Sequence, residues 1–351
     1  MAILLYVHCL RTTSVDCDSP IRTLEDKIDA RTRQGGLMPV ARPSRSSGCD
    51  AIRIAVWLAA FLFVPDHVWA QKCGGSPLAV QVLGSGGPRI NPQRASAGYV
   101  LWVDGAARML VDAGGGVFAR FGESEAKLSD LSLIAISHLH PDHVSDLPAL
   151  LWTSQNLRTV PLPIRGPSGN DVVPGFSVFL SRLFDEKVGA FPLLGGTISG
   201  RQDTPAPAVP LQVDVVDVTK KSPSPVFEHE GFRVTAQGIP HGNIPALAYR
   251  VATRGRSVVF STDQNGSDPA FVEFAKGADV LVMHLAIAAG TTSPLHASPA
   301  VVGQVARDIG AKRLIVSHIG QFPLPEAMSE LQKVYSGPVT VAADLQCTSV
   351  S

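Results

Sequence analysis

From residue 77 onward, short apolar runs alternate with segments of helical periodicity. The apolar runs predict strands at 78–83, 99–103, 108–112, 132–137, 212–218, 246–251, 256–261, 279–283 and 313–317. The periodic segments predict helices at 146–155, 173–186, 269–276, 299–309 and 326–334. Because strands and helices interleave, we expect an α/β fold in which helices cover the sheets. Residues 201–226 are rich in Pro, Ser, Asp and Thr, which predicts a surface loop.

Several predicted strands end in a polar, titratable residue. These residues are Asp112, His138, Asp263, His284 and His318. If the strands share one sheet edge, their ends converge where α/β proteins bind ligands. The pattern therefore predicts a functional site at that edge.

The first 70 residues lack the periodicity of the rest of the chain. The apolar run at 54–64 follows Arg42, Arg45 and Arg53, and it precedes Val68-Trp69-Ala70. This is the order of a secretory signal. We therefore predict an untranslated or disordered extension at 1–37, a signal peptide at 38–70 cleaved near Ala70, and one folded domain at 71–351. An uncleaved anchor or a core helix is the alternative for the apolar run. Cleavage would place the protein in the periplasm or outside the cell.

Two cysteines remain after the predicted cleavage, Cys73 and Cys347. In an oxidising compartment they suggest a bridge between the two ends of the domain, and two unpaired thiols are the alternative. The chain carries 30 basic and 30 acidic residues, and this formal net charge of zero does not indicate a basic surface that would bind nucleic acid. No apolar stretch approaches the roughly 20 residues of a membrane-spanning helix.

Residues 138–143 read His-Leu-His-Pro-Asp-His and contain four potential metal ligands. In an extended segment, residues two apart point the same way, so His138 and His140 can bind one ion. Pro141 turns the chain and directs Asp142 and His143 toward a second position. Imidazole nitrogens and carboxylate oxygens suit Zn²⁺ and similar ions, so the segment predicts metal binding.

The hexapeptide resembles the His-x-His-x-Asp-His signature of the metallo-β-lactamase superfamily. Residues 83–88 and 110–114 look like the first strands of that fold, and the resemblance extends from about 77 to 343. It implies an αββα sandwich, with two mixed sheets flanked by helices. It also implies two divalent ions, Zn²⁺ in the first place, with Mn or Fe as alternatives.

The resemblance implies a role for each of the matching residues. One ion would bind His138, His140, His241 and Asp263. The other would bind Asp142, His143, His318 and the same Asp263. His296 resembles a histidine that the ribonuclease Z and arylsulfatase branches keep beside the metals, and it is a candidate catalytic residue together with Asp142. Asp112 either supports a ligand or caps a strand, and His284 either supports a ligand or packs in the core.

Three features bear on the branch of the superfamily. True β-lactamases lack the bridging carboxylate at the position of Asp263. Only 21 residues separate His241 from Asp263, too few for the arm with which ribonuclease Z grips tRNA. The His-Glu pair of that enzyme reads His284-Leu285 here. The resemblance therefore favours the exported arylsulfatase-like or phosphodiesterase-like branch.

These inferences predict an exported dinuclear-metal hydrolase of a small-molecule ester. A phosphodiester or sulfate ester is favoured, attacked by a hydroxide shared between the ions. The alternatives are a lactonase or carboxylic-ester hydrolase, a ribonuclease Z-like nuclease and a catalytically idle metal-binding domain. We expect no nucleic-acid partner and no stable membrane span. A homodimer is compatible with the resemblance and is not indicated by the residues themselves.

Overall fold

The apolar strands pair into two seven-stranded sheets. A computed structural model of the protein describes residues 73–351 except 202, 204–206 and 221. The first sheet has the order β14-β1-β2-β3-β4-β5-β6. Its strands are β1 (Leu78–Gly84), β2 (Gly98–Val103), β3 (Ala106–Val111), β4 (Leu133–Ala135), β5 (Leu162–Pro167), β6 (Leu211–Val216) and β14 (Cys347–Ser349).

The second sheet has the order β13-β12-β11-β10-β9-β8-β7. Its strands are β7 (Ser224–His229), β8 (Phe232–Ile239), β9 (Ala246–Thr253), β10 (Arg256–Phe260), β11 (Val280–His284), β12 (Leu314–Ser317) and β13 (Val339–Val341). Each sheet is mixed. Strands β3 to β6 and β10 to β13 run parallel to their neighbours, whereas β14-β1-β2-β3 and β7-β8-β9-β10 are antiparallel.

Helices cover the outer face of each sheet. They are α1 (Val117–Glu123), α2 (Pro141–Val144), α3 (Leu147–Trp152), α4 (Phe176–Phe184), α5 (Gly196–Ser199), α6 (Pro269–Ala275), α7 (Pro299–Ile309) and α8 (Leu324–Gln332). Short 3₁₀ turns lie at Cys73–Gly75, Leu128–Asp130 and Pro192–Leu194. Helix α7 begins where the sequence predicts, because the Ser298 side chain accepts a hydrogen bond from the Val301 N–H, and it ends at Gly310 in the left-handed region.

The core has three layers that match this architecture. Between the sheets, buried side chains from both pack together, among them Tyr99, Leu101, Val258 and Phe260. Two further apolar clusters lie between each sheet and its own helices. Burial on both faces explains why strands such as β11 and β12 are almost entirely apolar. The predicted α/β sandwich of two mixed sheets flanked by helices is confirmed.

Some elements differ from the predicted ones. The surface loop predicted at 201–226 is wrong in part, because β6 and the start of β7 lie within it. Strand β5 was not predicted, since the proline and glycine in Leu162–Pro167 are typical of turns. The helix predicted from 173 begins at Phe176, after Pro174 and Gly175. The sequence also did not predict the helices α1, α2 and α5 or the strands β7, β8, β13 and β14.

A disulfide joins Cys73 to Cys347, with 5.6 Å between their Cα atoms. It lies beside the pairing of β1 with β14, where Gln81 is opposite Cys347. The bridge that the two cysteines suggested is therefore present, rather than two free thiols. It ties the start of the described chain to its last strand.

The extension predicted at 1–37 and the signal predicted at 38–70 lie outside the described residues, so both stay predictions. Within the described part of the chain, no helix combines the length and the apolar character that crossing a bilayer requires.

Replacing both bridged cysteines, as Cys73→Ser with Cys347→Ser, is expected to destabilise the fold. The bridge closes a loop with a sequence separation of 274 residues, and losing it should lower the free energy of unfolding by about 2–4 kcal/mol. Urea unfolding of the two proteins measures the difference. Reducing agent should weaken the parent protein by a similar amount and leave the double variant unchanged. Equal stability of parent and double variant would contradict the prediction.

Candidate metal centre

The polar residues that follow the strands converge at one end of the sandwich. Three strands, β3, β10 and β12, are followed by backbone in the left-handed region, at Asp112, Thr262 and His318, with φ of 59°, 52° and 53°. Non-glycine residues rarely adopt this conformation, and it is concentrated at functional sites. Here it ends the strands abruptly, at the edge where the titratable side chains meet.

One group of side chains surrounds a common point. His138 Nε2 lies 3.0 Å from His140 Nδ1, which lies 3.3 Å from His241 Nε2. Asp263 Oδ2 is 3.7 Å from both His138 Nε2 and His241 Nε2. Four ligand atoms therefore face one another, three imidazole nitrogens and one carboxylate oxygen.

A second group lies beside the first. His318 Nε2 is 3.1 Å from Asp142 Oδ2, and His143 Nε2 is 3.7 Å from the same oxygen. Asp263 also faces this group, with its Oδ2 3.6 Å from His143 Nε2 and its Oδ1 3.5 Å from His318 Nε2. The structure thus brings all seven predicted ligands together, with Asp263 between the two groups.

The donor set fits two divalent cations. Within each group the ligand atoms lie within 4.8 Å of one another, and nitrogens bound at about 2.0–2.1 Å to one tetrahedral Zn²⁺ are about 3.3 Å apart. His143 Nε2 is buried and has no hydrogen-bond partner within the described chain. A buried imidazole nitrogen that faces a carboxylate at 3.6 Å without bonding to it is suited to a shared ion. Nitrogen and oxygen donors accept Zn²⁺, and they also accept Mn or Fe.

Asp112 holds the metal-binding hexapeptide in place. Its Oδ1 accepts a hydrogen bond from the Ser137 backbone N–H at 2.7 Å, and its Oδ2 accepts one from the Ser137 hydroxyl at 2.8 Å. The same Oδ2 lies 2.7 Å from His143 Nδ1. This contact directs His143 Nε2 into the site, which is how carboxylates commonly orient metal-binding histidines. Of the two roles foreseen for Asp112, the contacts favour support of a ligand.

His284 supports the central carboxylate. Its Nδ1 lies 2.5 Å from Asp263 Oδ1, and its Nε2 lies 2.9 Å from the Tyr99 hydroxyl. The Tyr99 hydroxyl also bonds the Ser317 side chain at 2.9 Å. Both ring nitrogens of His284 are therefore engaged, so it positions Asp263 rather than facing an ion. Tyr99 was missed by the sequence analysis, because inside a buried strand it looks like an ordinary core residue.

His296 stands at the mouth of the site. Its side chain is 17% exposed, whereas His138 and His143 are fully buried, and its Nδ1 lies 3.9 Å from Asp263 Oδ1. Its ring centre is 5.4 Å from that of His241. It is thus near both groups while remaining open to solvent, the position that a proton donor to a substrate requires.

The protonation states favour metal binding. Burial lowers the pKa of His138 well below its usual range and that of His241 to about 4. The His241 Nδ1–H donates to the Leu295 carbonyl at 2.8 Å, which leaves Nε2 free to bind an ion. Burial would raise the pKa of Asp263, but the imidazoles of His318 and His143 outweigh it and hold that pKa well below its usual range. The first group therefore offers the neutral imidazoles of His138 and His241 beside an ionised carboxylate. Against the effect of burial, the Asp112 and Asp263 carboxylates raise the pKa of His143, so His143 would release a proton on binding an ion.

Asp344, which the sequence analysis missed, fixes the loop that packs against His318. Its Oδ1 accepts hydrogen bonds from the Ser85 backbone N–H at 3.0 Å and the Ser85 hydroxyl at 2.7 Å. Its Oδ2 accepts one from the Ala95 N–H at 2.7 Å. Between these anchors, Gly87 is so close to His318 that a Cβ atom would lie 2.7 Å from the ring Cε1. The signal for Asp344 was its position just after β13, a strand that was not predicted.

Known proteins that are similar to this chain point to one superfamily. The family described as Beta-lactamase superfamily domain matches residues 195–319. A protein named ribonuclease Z from Mycolicibacterium paratuberculosis is 32% identical over 213 residues, which cover 58% of this chain and 69% of that protein. Another, from Mycobacterium bovis, is 27% identical over 297 residues, covering 78% of this chain and 98% of that protein.

Solved structures share the fold. The short form of human tRNase Z superposes with a TM-score of 0.60 at 23% identity, covering 78% of this chain and 99% of that chain. A metallo-β-lactamase fold protein from Bacillus subtilis, YhfI, superposes with a TM-score of 0.58 at 21% identity, with the same coverage of both chains.

The expectation of a small-molecule ester and no nucleic-acid partner is wrong. Homologous proteins are named ribonuclease Z, and a protein of the same fold is a tRNase. The expectation rested on the short span between His241 and Asp263, on Leu285 after His284, on the predicted export and on a net charge of zero, which is a sum over the whole chain. Cleavage of a phosphodiester depends instead on the few charges beside the scissile bond. Export and action on sulfate esters stay predictions.

Replacing Asp112 by Asn should weaken metal binding without removing a ligand. The amide cannot replace the carboxylate that faces His143 Nδ1 and Ser137, so affinity for Zn²⁺ should fall about 10–100-fold. Competition of the metal-free protein against a chelator of known affinity measures the change. Asp171→Asn, at an exposed carboxylate, is the matched control and should retain the parent affinity. An Asp112→Asn variant that binds Zn²⁺ as tightly as the parent would overturn this role.

The metal-free protein should lose stability on acidification below about pH 6.5. The pKa of His241 is about 4 and that of His284 about 3 in the folded state, so the unfolded chain, with histidine pKa near 6.5, takes up protons first. Their contribution is complete above pH 6.5 and is lost as the pH falls toward 4. For His241 alone the full effect is about 3 kcal/mol. The pKa of His143 is raised, so His143 is charged in both states within this range and does not oppose the trend.

Urea unfolding of the metal-free protein at pH 7.5, 6.5, 5.5 and 4.5 tests this dependence. His241→Asn should flatten the pH dependence, whereas His229→Asn, at a largely exposed histidine, should leave it unchanged. A stability that is constant between pH 6.5 and 4.5 would contradict the prediction.

Proposed function

This chain is a metal-dependent hydrolase of the metallo-β-lactamase superfamily, and we propose that it cleaves phosphodiester bonds between nucleotides. The observation that carries the proposal is the position of Asp263, whose two oxygens face both groups of ligands. A carboxylate that faces both groups would hold two cations close enough to act on one phosphate. The homology to proteins named ribonuclease Z supports a phosphodiester joining nucleotides as the substrate.

The seven proposed ligands define where the substrate phosphate binds. When bound, two divalent ions would neutralise charge on the phosphoryl oxygens and lower the pKa of water toward neutrality. His138, His140 and His241 would hold one ion, and Asp142, His143 and His318 the other, with Asp263 between them. The buried ligands come from both sheets, so their positions are fixed before substrate arrives, and little reorganisation is needed.

His296 would supply the proton that the leaving oxygen needs. It is the partly exposed histidine at the mouth, and its Nδ1 lies 3.9 Å from Asp263 Oδ1, so it would lie next to a phosphate bound at the two groups of ligands. Burial lowers the pKa of His296, which favours release of a proton from the imidazolium, and the Asp263 carboxylate opposes this effect only in part. General acid catalysis of this kind contributes about 10²–10⁴-fold.

Asp142 is the second candidate catalytic residue. Its carboxylate belongs to the second group of ligands, where its Oδ2 accepts a hydrogen bond from His318 Nε2 at 3.1 Å. The neighbouring imidazoles of His318 and His143 outweigh the effect of burial and lower the pKa of Asp142, so it is ionised at neutral pH. An ionised carboxylate at this point can accept a hydrogen bond from the attacking water and orient it.

Hydrolysis of a short fluorescent RNA oligonucleotide and of bis(p-nitrophenyl) phosphate by the metal-loaded protein tests the proposal. Both should be cleaved, and a chelator should abolish cleavage until metal is restored. His296→Ala should reduce kcat on the RNA about 10²–10⁴-fold with unchanged metal content. His229→Ala, at an exposed histidine that faces Glu230 and none of the proposed ligands, is the control and should be fully active.

Three results would contradict parts of this account. Chelator-sensitive turnover of p-nitrophenyl sulfate or a lactone, with none of either phosphodiester, would reject the proposed substrate class. Loss of metal from His296→Ala would make His296 a ligand or its support rather than a proton donor. Full activity of that variant would remove it from the mechanism.

A further inference from the structure

A small cavity adjoins the metal centre on the side of His296 and His318. It has a volume of about 210 Å³, and its other polar walls come from Arg89, Asn91 and Gln321. Pockets that enclose whole small molecules have volumes of about 300–1,000 Å³. This one therefore suits a single group attached to a substrate whose reacting phosphate lies at the metals.

The electrostatics of the cavity favour an anion. Arg89 is exposed and forms no hydrogen bond or ion pair with the part of the chain that the structure describes. None of the described residues that line the cavity is acidic. A guanidinium with no carboxylate partner, beside a site for a phosphate, is suited to bind a second phosphate in bidentate fashion.

The loop that carries Arg89 is held on both sides. Before it, the Gly86 N–H donates to the Ala95 carbonyl at 2.8 Å, and the Ile319 N–H donates to the Ser85 carbonyl at 2.8 Å. After it, the Gln321 side-chain amide donates to the Ile90 carbonyl at 2.9 Å. Because its backbone is fixed next to His318, Arg89 can bind an anion with less ordering of the chain.

We propose that Arg89 and this cavity form a subsite for the phosphate group adjacent to the scissile phosphodiester. The inference rests on the proposed function and deepens it. The favoured substrate would carry at least two phosphates, one at the metals and its neighbour along the nucleotide chain at Arg89. The cavity would then distinguish nucleotide chains from isolated phosphodiesters.

Binding of two product-like probes to the metal-loaded protein tests the subsite independently of turnover. Arg89→Ala should weaken the binding of adenosine 3′,5′-bisphosphate about 10–100-fold, the usual loss when a charge-assisted hydrogen bond is removed. Adenosine 5′-monophosphate, with one phosphate, should bind the variant and the parent within about twofold. Arg89→Lys should recover part of the loss. Arg254→Ala, in the β9–β10 turn, removes a positive charge elsewhere and should change neither affinity.

Turnover provides the second readout. Arg89→Ala should lower kcat/KM for a dinucleotide that carries a terminal phosphate, leave bis(p-nitrophenyl) phosphate unchanged, and lose this discrimination as ionic strength rises. Equal weakening of both probes, or of neither, would overturn the subsite, as would failure of the parent to bind the bisphosphate more tightly than the monophosphate. If the parent binds the bisphosphate through Arg89 but cleaves no phosphodiester, the proposed function fails and the subsite remains.

Discussion

The buried carboxylate of Asp263 is the constraint around which the site is built. An isolated carboxylate in such an apolar interior would be protonated, because burial penalises its charged form. Here imidazole nitrogens face it from both groups, and His284 holds one oxygen at 2.5 Å. The arrangement keeps Asp263 ionised and equidistant from ligands on both sides. Two cations can then share it, which no other residue among the described ligands is placed to allow.

The sandwich delivers these ligands through its strand ends. The residues at or just after the ends of strands from both sheets meet at one edge. These strands are β3 and β4 in the first sheet and β8, β10, β11 and β12 in the second. Links between the sheets keep this edge closed: the Leu247 N–H donates to the Ser137 carbonyl at 2.9 Å, and the Tyr249 hydroxyl donates to the Ile136 carbonyl at 2.8 Å. The rigidity of the core is thereby transmitted directly to the metal-binding hexapeptide.

The metal-binding residues could be predicted from the sequence, whereas several residues and strands that surround them could not. The hexapeptide, the polar strand ends and the two cysteines were informative because a local pattern of residue types limits what each can do. Arg89 and Asp344 carry no such pattern, since their roles arise from contacts between segments far apart in the chain. Proline and glycine obscured β5, whose place in the sheet is set by its neighbours β4 and β6. Net charge misled the choice of partner because it contains no spatial information.

The last strand and Asp344, which lies just before it, complete the site from the end of the described chain. Asp344 and Cys347 follow every proposed ligand along the chain, yet they anchor the loop beside His318 and the first strand. A chain truncated before residue 344 would therefore keep every proposed ligand and lose both of these anchors.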